Sequence, residues 1–524
     1  MAQNITEVRL LSVPLENDYL HTAYFPNRAS QTTWMKNHTV RTETNLSYQR
    51  ENNMIRFPMG IDSIRYCNYV MYQNTAYSSK WFYAFITKME YVNDDRTDIY
   101  IQTDVMQTWL FDYDVKPSFI EREHVANDAI GLHTLSEGLE LGDYVCNNHV
   151  MSEYGTDTYI IVATTKTPSG SNVVGSIYNG IYSGIKYYAF SNNMAGAQQL
   201  ESWLADFDSA GAGDAIQCMF VAPKNLVQLT GTVVNSSSFP YKYNINDNIG
   251  NAYKEINFNI NKVGTYTPKN KKLLSYPYKY LLVSNNNGGA VIYNYEYFTN
   301  NNPQFEIRGC ICPGCSIRLI PMNYKGVIYN EEEGLNLGKF PALNWTSDIY
   351  TNWLTQNATN IGISLVQDSV SAIGGAALAT TGAGAMAGVG MATNGFIGIA
   401  NTLGEIHKAS LIPPQAKGNI NCGDVITADA KNDFHFYEMN IKVEYAMIID
   451  KYFDMFGYKI CQLKTPEKNH RKFWWFTKAL DINIDGNIPN DALQEIKNCY
   501  NRGITFWNVA NGDIGDYNHE NIII

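Results

Sequence analysis

Charged side chains make up only 17% of this 524-residue chain, and over one stretch they vanish. From Ser369 to Gly404, 36 residues pass without an Asp, Glu, Lys, Arg or His. A solvated loop of that length would carry charge, and an ordinary core helix would be shorter and richer in leucine. Nine glycines and nine alanines fill half of it. Its large apolar residues are Val370, Ile373, Leu378, Met386, Val389, Met391, Phe396, Ile397, Ile399 and Leu403. The run is therefore apolar, but weakly so. A lone spanning helix needs about 20 predominantly apolar residues, and each glycine costs about 1 kcal/mol relative to alanine inside a helix. Neither arm, divided at Thr380 to Gly384, makes a robust span by itself. Gly384 and Gly388 have Gly-x-x-x-Gly spacing, and Ala379, Ala383 and Ala387 form a small-residue ridge that lets helices approach closely in lipid. Three readings stand: a membrane-active segment that works in an assembly, a segment buried in an oligomer or lining its lumen, and a flexible loop. Asp368, Glu405 and His407 bracket the run as a pH-sensitive flank, because charge is expensive in hydrocarbon and has to stay at the interface or be neutralised.

Other absences narrow the function. There is no Gly-x-x-x-x-Gly-Lys-Ser/Thr loop, no His-Glu-x-x-His helix and no Gly-x-Ser-x-Gly elbow. Carboxylate clusters such as Asp94-Asp95 and Glu331-Glu332-Glu333 sit in turn-like surroundings. No residue takes a catalytic assignment, and neither an enzyme nor a cofactor is expected. Nine cysteines, an odd number, do not make a disulfide framework. Cys310, Cys312 and Cys315 cluster, but structural zinc wants four ligands and no second Cys/His pair matches the spacing. They are weak metal candidates, with Pro313-Gly314 read as a strand-to-strand turn. The start, MAQNITEVRLLSVPLEND, lacks a basic region followed by an apolar one, so no signal peptide is expected and synthesis is assigned to a cytoplasm. A net charge of −11 argues against nucleic-acid binding on the outer surface, yet is compatible with DNA sliding through a tube without sticking.

What is present is mainly β, with accessory helices: a β-rich α+β chain. Alternating Tyr, Val, Ile, Phe and Thr predict strands over 81–91 and 98–109, joined by a hairpin at Asn93 to Thr97. Further strands are expected at 159–165, 215–222, 226–234, 278–283, 289–297, 305–310, 316–321 and 434–449. Helical spacing marks 193–206, 347–370 and 491–501, the last opened by Pro489 and Asp491 and closed by Gly503. The length implies several domains. The 37 tyrosines suit strands, and also surfaces where rigid partners meet.

Both ends of the chain carry strings that resemble one family. VPLENDY (Val13 to Tyr19), IDSIRYCNYVMYQNTAYSSKWFYAFIT (Ile61 to Thr87) and DVMQTWLFDYDVKPSFIEREHV (Asp104 to Val125) lie in the first third. FGYKI (Phe456 to Ile460), RKFWW (Arg471 to Trp475), NDALQEI (Asn490 to Ile496) and NRGITFWNV (Asn501 to Val509) lie near the end. Together they resemble the tail knob, or distal tail tube, proteins of short-tailed phi29-like bacteriophages of Gram-positive hosts. The resemblance implies a homohexameric tube at the distal end of the tail, conducting the genome, with other tail and collar proteins and a tail-tip protein as neighbours. It also implies that the apolar loop plugs the lumen and is released to form a channel in the host cytoplasmic membrane. Ser369 to Gly404, followed by IPPQ at Ile412 to Gln415, has the corresponding place in the order. On this basis 1–150 is expected to be an amino-terminal tube-forming domain and 151–344 a central knob domain. Residues 345–415 would hold an amphipathic helix and the membrane-active loop, and 416–524 would return to the tube. The competing reading is a knob that binds a receptor or cell-wall polymer, with the apolar loop only structural.

Overall fold

The computed structural model of the protein describes residues 6–46, 48–49, 52–74, 80–155, 157–164, 177–178, 181–182, 186–209, 216–227, 242–243, 252–286, 288–300, 302–309, 316–337, 342–344, 419–421 and 433–524. The chain divides into two compact units, each discontinuous in sequence.

The first unit comprises Met1–Gly142, Thr265–Leu274 and Lys442–Ile524. Its seven-stranded antiparallel sheet runs in the order Thr39–Thr44, Thr6–Leu11, Tyr69–Asn74, Phe82–Asn93, Arg96–Thr103, Met54–Phe57, Tyr48–Gln49. The hairpin expected at Asn93 to Thr97 is there, with Asn93 paired to Arg96. The strand expected over 98–109 stops at Thr103. Asp104 accepts a hydrogen bond from Gln107 N at 3.0 Å and caps the short helix Val105–Trp109, an N-cap signal that the apolar run concealed.

A second sheet carries both ends of the chain. Its order is His21–Tyr24, Ile504–Asn508, Trp474–Asp481, Ser118–Glu123, Tyr458–Lys464, and its first pair is parallel. Tyr69, Phe85, Trp475, Ile496, Tyr500 and Phe506 share one core. The helix Asn490–Arg502 has the expected punctuation. Ala492, Ile496, Cys499 and Tyr500 face inward at 3.6-residue spacing, and Gly503 closes it at φ 95°, where a Cβ would meet the Phe476 ring.

The strand expected over 434–449 divides. His435–Ile441 is a strand, but Val443–Phe456 is a helix whose buried residues Ala446, Ile449, Asp450 and Phe453 recur at helical spacing. The apolar period changes from two to 3.6 across the single residue Lys442, which makes no side-chain cap, so the run reads as continuous. Asp450 then holds the separate segment 265–274. Its carboxylate accepts from Tyr266 OH at 2.6 Å, Lys269 N at 2.8 Å and Asn270 N at 3.0 Å. Glu137, fully buried, pairs with both Lys272 and Arg122.

The second unit comprises Asp143–Gly264 and Ser275–Ile441. Its six-stranded sheet runs Lys242–Tyr243, Lys186–Ser191, Thr158–Thr164, Ile216–Pro223, Ala342–Asn344, Asn419–Asn421. A four-stranded sheet runs Tyr144–Met151, His435–Ile441, Lys279–Ser284, Ala290–Tyr293. The expected strand at 289–297 ends at Tyr293 and turns through Tyr295–Tyr297. A third sheet is built from Ala252–Glu255, Gln304–Gly309, Ile317–Tyr324 and Val327–Tyr329, with Leu335–Asn336 beside Ile317–Tyr324. Phe305, Phe436, Leu281 and Tyr293 form the core of the unit. The helix Met194–Ser209 lies over the expected 193–206, with Trp203 and Phe207 buried.

Candidate functional site: the anchored base of the apolar segment

Residues 345–418 lie outside the described residues. So do all the apolar positions from Val370 to Leu403, the flanking Asp368, Glu405 and His407, and the cysteines Cys310, Cys312 and Cys315. The structure does describe how the chain leaves for that stretch and how it comes back. Ala342–Asn344 and Asn419–Asn421 pair antiparallel in direct register, Ala342 with Asn421 and Asn344 with Asn419. Neighbouring strands lie about 4.8 Å apart. The two ends of the apolar excursion are thus held side by side on one edge of the six-stranded sheet.

A second anchor stands where the chain re-enters the core at Asp433. Its carboxylate is fully buried and accepts from the Ser152 hydroxyl and from four backbone N–H groups: Glu153, Tyr154 and Gly155, together with its own neighbour Phe434. Glu153 sits at φ 67°, a left-handed conformation that turns successive N–H groups towards one anion. Asp433→Ala leaves these donors buried without their acceptor. The expected cost is about 3 kcal/mol, read as a lower urea midpoint for the second unit. An unchanged midpoint would mean that the carboxylate is not the clamp.

Next to the clamp, two histidines face one another across paired strands. His149 Nε2 and His435 Nδ1 are 2.9 Å apart with their rings within 3° of coplanar. That geometry is an in-plane bond with one proton between two nitrogens. Tyr437 stacks on His149 at 4.6 Å. Burial, and then the neighbouring His435, push the His149 pKa down. On the opposite face of the strand, Glu438 pairs with Lys279 at 2.6 Å. Both are buried, and Lys279 also donates to the carbonyls of Asn259 and Lys262. Burial lowers the Lys279 pKa, its carboxylate partner opposing. These contacts lock the strand that follows the apolar stretch between its two neighbours. Sequence reading missed all of them. Asp433 sits in an unremarkable Asn-Asp-Phe context, and its partners lie about 280 positions away.

Among the described residues, no group of three or more potential ligands is arranged to hold a metal ion, and no helix is long and apolar enough to cross a membrane. Comparison with known proteins turns this geometry into an assignment. The family model described as the C-terminal domain of the tail knob protein gp9 of Bacillus phage phi29 matches residues 237–522, more than half of the chain. The chain belongs to this tail knob family. A second model, the N-terminus of the caudoviral major tail protein, matches residues 4–114. Tail knob relatives align almost end to end. The protein gp9 of phage phi29 is 26% identical and that of Bacillus phage PZA 27% identical, with 98% of both chains covered in each case. The fold of the tail knob protein gp12 of bacteriophage C1 matches with a TM-score of 0.65 at 13% identity, over 99% of this chain and 100% of that one. A tail knob is a structural component of the phage tail. The mainly β architecture with accessory helices is that of the C1 tail knob.

Proposed function

We propose that this tail knob protein assembles as a hexameric tube through which the genome passes, and that its apolar segment plugs the lumen before forming a channel in the host cytoplasmic membrane. The observation that carries the reading is the pairing of Ala342–Asn344 with Asn419–Asn421. The run of 36 uncharged residues lies between two segments that pair with each other, so its release would leave the described fold intact. Shared shielding of six weakly apolar loops would keep them from water, at about 25 cal/mol per Å² of apolar surface. On release, their glycine and alanine faces would pack together in lipid. Double-stranded DNA would pass without specific contacts, in keeping with the acidic chain. Residues 1–150 and 416–524 would form the tube and 151–344 the knob. Support for the return of the carboxy-terminal part comes from the parallel pairing of His21–Tyr24 with Ile504–Asn508.

Protonation of Asp368 and Glu405 would ease insertion by removing charge from the flanks. Full-length protein is expected to release dye from liposomes faster at about pH 5 than at pH 7.5. Equal leakage at both would remove the proton trigger, and none at either would remove the membrane activity. A wall-binding knob is the second reading, favoured by the exposed tyrosines of the second unit: Tyr144, Tyr253, Tyr276, Tyr297 and Tyr329.

A further inference from the structure

The first unit contains a cavity of about 380 Å³ that no part of the foregoing function uses. Arg471, from the RKFWW string, forms part of its wall and is only 7% exposed. Two of its guanidinium nitrogens donate to backbone carbonyls, those of Asn521 at 3.2 Å and Val125 at 3.1 Å, and Nε has no partner. Among the described residues, no carboxylate comes within ion-pairing distance of it. Asp128, Asp454 and Glu467 act on its charge only from a distance, and each already holds other partners, in the case of Glu467 Ala126 N and Lys464. Asp128 accepts from Tyr458 OH at 2.7 Å and Lys271 N at 2.9 Å, and Asp454 takes Lys269 Nζ at 3.3 Å.

Backbone carbonyls orient a guanidinium but do not cancel its charge, and burial outweighs the acids that act on it from a distance, so a cation with no carboxylate in direct contact is costly. The cavity provides room for one. Lys269 and Lys271 line it from the segment 265–274; the Lys269 ammonium gives one of its three N–H donors to Asp454 at 3.3 Å, which leaves the others for an anion. Glu520 is the remaining acid in the wall, and it is exposed. We infer that this cavity binds a phosphate group, free or as the ester of a small polyol, with Arg471 at its wall and the two lysines closing on the oxygens. Planar, charge-assisted donors suit a tetrahedral oxyanion, and the volume exceeds that of the anion alone, leaving space for an ester's carbon chain.

The segment 265–274 is held through backbone N–H groups by Asp450 and Asp128, so Lys269→Ala and Lys271→Ala leave it docked. Calorimetric titration of the full-length protein at constant ionic strength is expected to show saturable binding of inorganic phosphate or glycerol phosphate, but not of chloride. The double lysine variant should bind at least tenfold more weakly, because each charge-assisted bond lost costs about 1.5 kcal/mol or more. Tighter binding of the ester would make a polyol phosphate the occupant, and equal affinities would make it the free anion. Binding that the double variant retains in full, or heats that chloride reproduces, would overturn the inference. Arg471→Lys, which keeps the charge and loses the fork, should weaken binding in a protein whose melting temperature is checked alongside.

Discussion

Phage particles whose knob protein lacks residues 369–404 are expected to adsorb to the host normally and fail to deliver DNA. The shortened protein should still fold, because the deletion falls inside an excursion whose ends are paired. Residues 345–368 and 405–418 remain, 24 plus 14, giving 38 residues to join strands that lie side by side. Loop-closure free energy changes only as the logarithm of length, so this shortening alters it by less than about 1 kcal/mol. Loss of the segment therefore tests its function rather than the scaffold. Counting adsorbed particles and measuring plaque formation and DNA uptake separates the two readings. A channel-forming loop predicts adsorption without uptake. A wall-binding knob with a structural loop predicts infection at the normal rate, and that result would retire the channel.

Acid should destabilise the first unit by about 2–3 kcal/mol between pH 7.5 and 5.5. His124 is buried in its neutral form: Nδ1 accepts from Phe476 N at 2.8 Å, which leaves Nε2–H to donate to Asp454 O at 3.1 Å. An imidazolium cannot accept, so protonation breaks the first bond. Burial lowers the His124 pKa well below its ordinary value and brings His470 down to about 4. The unfolded chain takes up these protons first, so the stability is complete above about pH 6.5 and is lost as the pH falls below it. Asp104 works the other way. Burial raises its carboxyl to about 6, so in acid the folded state gains a proton there and recovers part of the loss. Glu123 and Asp454 are shifted in the same sense, chiefly by burial. His21 adds to the loss, since its Nδ1 accepts from Trp507 Nε1 at 3.0 Å and burial depresses its pKa. Tryptophan fluorescence follows the transition directly, because Trp475 and Trp507 lie beside these histidines. His124→Gln preserves a donor and an acceptor without the titration and should flatten the pH dependence. A slope unchanged in this variant would assign the acid sensitivity elsewhere.

Local features were legible where punctuation and period agreed. The Phe82–Asn93 and Arg96–Thr103 hairpin alternates cleanly around a polar break, and Asn490–Arg502 lies between Pro489 and Gly503. Legibility failed at Val443–Phe456, where strand passes into helix at Lys442, a residue that makes no side-chain cap and so does not mark the change. It failed at Val105–Trp109 too, where one buried aspartate decides the boundary.

By itself the sequence determined that this protein is mainly β, that it carries an uncharged Gly/Ala-rich run of 36 residues, and that its two ends resemble tail knob proteins. These are properties of composition, short-range period and residue order. Only the tertiary structure decided that Ala342–Asn344 meets Asn419–Asn421, that Asp433 gathers the Ser152 turn, and that His21 lies against Trp507, 486 positions away. Backbone pairing is blind to side-chain identity, and a buried carboxylate is satisfied by whichever N–H groups the fold brings to it. Long-range partners of this kind leave no local signature to read.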